Sequence, residues 1–83
     1  MDRVPVEVIC FAGLRKYFGN VITILVEPDA SLSDLIDEMI GMEPDAGEVL
    51  RCSRIAANEE FISPKEKIAA ERTFFIIPPS SGG

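Results

Sequence analysis

The chain has no histidine, and its two cysteines, Cys10 and Cys52, stand far apart, neither beside a second cysteine. Without imidazole or a close cysteine pair, the usual zinc and redox spacings are missing, so metal chemistry is not expected. No cysteine has a base beside it and no glycine-rich loop joins a strand to a helix, which leaves no self-contained active site. Basic residues are also scarce, 8 against 14 acidic, for a formal charge of -6. That balance excludes the basic footprint by which nucleic-acid backbones are held, and it suits a basic protein partner better. No run approaches the ~18 apolar residues of a membrane span, and "MDRVPVEV" lacks the basic-then-apolar layout of a signal peptide. A cytoplasmic protein without membrane attachment is expected.

Hydrophobic residues make up 47% of the chain against 27% charged, enough to fold. With 83 residues there is room for one domain, and a domain so short buries only a little over ~60% of its unfolded surface. "VPVEVICF" alternates as a strand, with Val4, Val6, Val8 and Cys10 on one face and Pro5, Glu7, Ile9 and Phe11 on the other. Pro5 places this stretch near a strand start or a sheet edge. Cys10 packs as a small core hydrophobe on this pattern, and Cys52, after a helix-like stretch, is read the same way. "AGLRKYFG" allows a short helical turn ending on Gly19, and "NVITILVEP" is a second strand, joined so closely to the first that the pair should be antiparallel.

"SLSDLIDEMIG" is the clearest helix, with Ser31 as N-cap, Asp34 completing a capping box and Gly41 as its stop. Leu32, Leu35, Ile36, Met39 and Ile40 form its apolar stripe, so it must lie on a sheet. "EPDAGEVLRC" repeats a start signal, with Asp45 as cap and Glu48 three residues on. "SRIAANEEFIS" predicts two short strands around a turn at Asn58 to Glu60, and "RTFFII" a last strand ended by Pro78. The sum is an α+β fold, a mixed sheet with one main helix on one face, in which the last strand can lie parallel beside the first.

One helix covers one face, yet Phe74, Phe75, Ile76 and Ile77 put apolar side chains on both faces of the last strand, and Ile9 and Phe11 add to the second face. The surplus is either a partner's docking site or is covered by the "AGLRKYFG" or 46–52 segments. After it, Pro78 and Pro79 make a stiff exit, and Ser80 to Gly83 offer almost nothing to bury. Glycine has no Cβ, so a Gly-Gly end can thread a narrow channel and bring a backbone carboxylate to a reactive centre. From Pro78 onward the arm reaches on the order of 20 Å, enough to enter another protein's active site.

"VICFAGLRKYFG", "SLSDLIDEMIG", "IAANEEFI" and "FIIPPSSGG" together resemble the MoaD-like sulfur carriers, the small subunits of molybdopterin synthases, in the MoaD/ThiS group of ubiquitin-like β-grasp domains. The resemblance spans essentially the whole chain. It implies a β-grasp domain over residues 1–79 and a flexible Gly-Gly tail over 80–83. Gly83 would be adenylated by a partner activating enzyme, which uses the ATP, and converted to a thiocarboxylate with sulfur from a donor. The tail would then enter the large subunit of molybdopterin synthase and give its sulfur to a cyclic pterin precursor; the chain itself would bind no cofactor. Gly82 matches the penultimate glycine that permits passage. Phe11 and Arg15 match the "F-A-x-L-R" positions close to the partner interface, to which Phe75, Ile76 and Ile77 are added. Lys16 and "AAER", Ala69 to Arg72, depart from the family's acidic residue and "D-G-D" turn, the second bearing on the register of the last strand. Other readings are a carrier for thiamin thiazole or another sulfur-accepting product, a ubiquitin-like protein modifier, and an interaction domain with a chance Gly-Gly end.

Overall fold

A computed structural model describes residues 2–68 and 73–79. The expected Gly-Gly tail and the "AAER" turn lie outside the described residues. Strand β1 (Val4–Cys10) leads through a 3₁₀ turn (Ala12–Leu14) into the short helix α1 (Arg15–Phe18), then strand β2 (Val21–Val26) and the main helix α2 (Leu32–Met42). A second 3₁₀ turn (Pro44–Ala46) enters α3 (Gly47–Cys52), followed by strands β3 (Arg54–Ala57), β4 (Glu60–Ile62) and β5 (Thr73–Ile77). The sheet has five strands in the order β2-β1-β5-β3-β4. β1 and β5 are parallel neighbours at its centre, and the other pairs are antiparallel.

Period-two alternation sorts the strands into two faces. Val6, Val8, Cys10, Ile24, Ile55, Phe74 and Ile76 are buried on one face, where they meet Leu32, Leu35, Ile36 and Met39 of α2. Each large side chain so buried stabilises the fold by roughly 1.5–3 kcal/mol. Leu14, Phe18 and Leu50 also join this core. Cys10 is a core hydrophobe as expected, and burial pushes its thiol pKa up, away from reactivity. Cys52 is exposed, contrary to expectation, because it falls on the outer side of the last turn of α3.

The register Val8↔Phe74 and Cys10↔Ile76 fixes the last strand. β1 is interior rather than an edge, but Pro5 is the second residue of the strand, as expected of a strand start, and it is tolerated there because β5 pairs only from Glu7 onward. On its other side Pro5 faces Leu25 at a position where an antiparallel ladder makes no bond. α2 runs one residue past Gly41, which is helical, and ends at Glu43, whose N–H donates to the Met39 carbonyl. A glycine without a left-handed φ stops nothing. Asp45 caps nothing either: it lies inside the 3₁₀ turn, and α3 starts from Ala46 with no side-chain cap. The turn between β3 and β4 holds Asn58 and Glu59 at φ 52° and 66°, the left-handed pair that a two-residue hairpin requires.

The start of α2 is closed by a full capping box. The Asp34 N–H donates to Ser31 Oγ at 3.2 Å, and the Ser31 N–H donates to the Asp34 carboxylate at 3.0 Å. The Ser31 backbone N–H, then the Ser31 side chain, hold the Asp34 carboxyl below its ordinary value of 3.8. Ser31→Ala is expected to lower stability by about 1 kcal/mol, read by urea unfolding. A depressed carboxyl contributes stability that is fully present above the unfolded value and is lost as pH falls through the folded one. The stability gap between the natural chain and Asp34→Ala should therefore close as pH drops below 3.8. A gap that stays constant into strong acid would show that the ionised carboxylate contributes nothing.

Candidate functional site

The pairing registers place Val21, Ile9, Phe75, Ala56 and Phe61 side by side, one from each strand, on the face that α2 does not cover. An apolar row therefore crosses the whole sheet. Phe61 is 60% exposed and Val21 51%, whereas Ile9, Ala56 and Phe75 in the middle are half-buried by their neighbours. Neither expected cover closes this row with apolar side chains: Leu14, Phe18 and Leu50 all insert into the core on the other face. The surplus apolar surface is open among the described residues.

Two arginines lie over the rings of this face. Phe11 stacks on Phe75 with ring centroids 6.1 Å apart and planes 27° from parallel. The Arg15 guanidinium sits 5.9 Å from the Phe11 centroid, and its Nε donates to the Cys10 carbonyl at 3.3 Å. At the far side the Arg54 guanidinium lies 4.6 Å over Phe61. Such contacts stabilise by about 0.5–1 kcal/mol each at exposed sites. Ala12, at φ 51°, is in the left-handed region between these groups and the buried Leu14. This sharp bend keeps Phe11 on the open face while the next turn drops Leu14 into the core.

Because β1 and β5 are parallel, their C-terminal ends lie at the same end of the sheet. The chain therefore leaves the fold at Pro78 from a central strand, beside Phe11 and Arg15, not from an outer corner. Phe11, Arg15, Phe75 and Ile77 are brought together at this exit, Ile77 half-buried opposite Arg54. Ile76 is not part of the surface: it points to α2 and is completely buried, as the alternation of β5 demands. Gly82 and Gly83 lie outside the described residues. Lys16 is exposed, its Nζ 5.1 Å from the Tyr17 ring. Phe61 and Arg54 were not foreseen as members of the face, although a two-residue turn at Asn58–Glu59 dictates that Ala56 pairs with Phe61.

A model of the ThiS family matches residues 8–83. The chain belongs to the ThiS family. It is 32% identical to the molybdopterin synthase sulfur carrier subunit of Arabidopsis thaliana over 83 residues, 99% of this chain and 86% of that one. Among solved structures it resembles SAMP1 of Haloferax volcanii, with TM-score 0.79 and 26% identity, covering 96% of this chain and all of that one. It resembles equally the Pyrococcus furiosus protein named molybdopterin converting factor, subunit 1, with TM-score 0.79 and 25% identity over 92% of this chain and 98% of that one. The five-stranded sheet with its helix on one face is the ubiquitin-like β-grasp.

The two faces of the sheet predict unequal responses. Ile76→Ala should cost roughly 2–5 kcal/mol in denaturant unfolding, as buried aliphatic truncations do. Phe61→Ser should cost less than about 1 kcal/mol, since it forfeits an exposed ring contact and little else. Equal losses in the two variants would contradict the assignment of the faces.

Proposed function

We propose that this chain is the sulfur carrier subunit of a molybdopterin synthase, with Gly83 as the group that carries sulfur. The observation that bears most weight is the exit of the chain from central β5, beside the open row and the Arg15–Phe11–Phe75 stack. A partner that docks on the open face would receive the following segment, Pro78 to Gly83, in one direction. Membership of the ThiS family, and the name of the Arabidopsis thaliana relative, support the reading.

The chemistry needs nothing from this chain except an accessible carboxylate. A carboxylate is a poor electrophile, so an activating enzyme first joins it to AMP from ATP, releasing pyrophosphate. A sulfide nucleophile from a sulfur donor then displaces AMP and leaves a thiocarboxylate on Gly83. In the large subunit the thiocarboxylate sulfur would form a C–S bond to the cyclic pterin precursor, displacing an oxygen group of that precursor, and water would then cleave the resulting thioester, leaving the sulfur on the pterin and a carboxylate on Gly83. Glycine at positions 82 and 83 keeps the passage narrow, since neither adds a Cβ. Phe11, Arg15, Phe75 and Ile77 would supply the docking surface for the activating enzyme and the large subunit, aromatic and aliphatic side chains with an arginine beside them, the aromatic and arginine types being those enriched where proteins dock.

The test is co-expression with a matching activating enzyme and sulfur source, followed by intact mass measurement. The expected result is a mass gain equal to replacing one oxygen by sulfur, absent when Gly83 is deleted, with thermal unfolding unchanged by the deletion. No such gain in the full chain, or cofactor synthesis that survives loss of Gly83, would overturn the proposal. SAMP1 is a small archaeal modifier protein, so the same cultures are also blotted for covalent ladders. Ladders that vanish without Gly83, in place of the sulfur gain, would assign the tail to isopeptide formation instead.

A further inference from the structure

β2 stands at the edge of the sheet, with β1 as its one strand neighbour among the described residues. The Cys10 N–H donates to the Asn20 carbonyl at 2.9 Å, which fixes the phase of the β1–β2 ladder. Bonded positions alternate in an antiparallel pair, so Ile22, Ile24 and Val26 turn their backbone groups toward β1. Val21, Thr23 and Leu25 turn theirs outward, and no described residue bonds them. Exposed edges are ordinarily blunted by a charge, a proline or a bulge. The strand "VITILV" has none of these, and its register with β1 is unbroken.

A cleft of about 180 Å³ adjoins the end of this edge, lined by Leu25, by the acidic residues Glu27, Asp29, Asp34 and Glu38, and by Arg3. Arg3 pairs with Glu27 at 3.2 Å and with Glu38 at 3.6 Å, and Lys67 Nζ donates to the Asp29 carbonyl at 2.9 Å. Two cations against four carboxylates leave an acidic excess beside the strand. Steric openness, free backbone groups and negative charge thus coincide on one margin of the molecule, the opposite edge of the sheet from β4.

We propose that the β2 edge takes an extended peptide of alternating apolar and basic residues, added to the sheet as a further strand. Its backbone bonds Val21, Thr23 and Leu25. Its apolar side chains continue the open face beside those residues. Its lysine or arginine side chains, on the α2 side, lay their stems along Ile22 and Ile24 and bring their charges to Asp34 and Glu38. A second copy of the chain fits worse, because each carries a charge of -6 and its own β2 has no basic side chain to set against the acidic cleft. Nothing in this interaction uses Gly83.

The probe is a labelled synthetic peptide of alternating valine and lysine, titrated against the full chain by fluorescence anisotropy and by amide NMR. Binding is expected with the largest amide shifts at Val21, Thr23 and Leu25, and it should weaken with added salt. Thr23→Pro removes an outward donor without touching the β1 ladder and should weaken binding about fivefold or more. Glu38→Lys, exposed and off the sheet, should weaken it while improving a valine–glutamate peptide. Deleting Gly83 should change nothing, which separates this surface from sulfur loading. Equal binding of the lysine and glutamate peptides, shifts centred on Phe61 and Phe75, or no binding would each overturn the proposal. So would a concentration-dependent dimer abolished by Thr23→Pro, which would make a second copy the occupant.

Discussion

Parallel pairing of β1 with β5 is the constraint from which the rest follows. A parallel neighbour cannot be reached by a tight turn, so everything from α1 to β4 is the connection that makes the pairing possible. Its closure entropy grows only slowly with length, and the buried contacts of Val8 with Phe74 and Cys10 with Ile76 in the middle of the core offset it. The pairing also decides where the chain comes out. An antiparallel last strand would leave the fold at the opposite end of the sheet, away from Phe11 and Arg15; a parallel one leaves beside them.

Coverage is the second constraint, and it is geometric. α2 has 11 residues, hence a length of about 16 Å, while five strands span about 20 Å across their hydrogen-bonding direction. One such helix, helped by Leu14, Phe18 and Leu50, can close a single face. α3 and the Ala12–Phe18 segment are spent on closing that same core. The chain has no further described element with which to cover Ile9, Phe75 and Phe61. The open row therefore follows from how the described elements are spent on the other face.

Much of this was legible before the structure. Alternation in "VPVEVICF" and "RTFFII" assigned the faces of β1 and β5, because a period of two leaves little freedom once one face is apolar. Ser31 and Asp34 marked the start of α2 through chemistry confined to four residues, and the capping box formed as written. Signals whose outcome depends on distant packing were less secure. Gly41 resembles a stop, but Met39 is buried in the core and the helix continues through the glycine to Met42. Cys52 resembles a core residue by composition, yet the side of α3 that packs inward is set by Leu50. Ile76 and Ile77 together match the family's apolar pair before the two prolines, although adjacent strand residues must point to opposite faces. Phe61 and Arg54 could not be placed until the hairpin register was known.

An apolar row across a sheet is an aggregation hazard for a free protein, and this chain carries two devices that reduce it. Net charge of -6 keeps copies apart at long range. At short range, Arg54 over Phe61 and Arg15 over Phe11 screen the faces of the rings with groups that remain solvated at their edges. A hydrophobic cover would have needed a second helix and would have had to unfold before anything could dock. A guanidinium needs only a rotamer change, and because each contact is worth about 0.5–1 kcal/mol its displacement takes little from the affinity of an incoming partner. On the proposed docking, the same two arginines would stand at the margin of the docked surface, free to meet carboxylates on that partner. Removable charge over the rings thus lowers the aggregation tendency of the open row while leaving it apolar enough for the proposed docking.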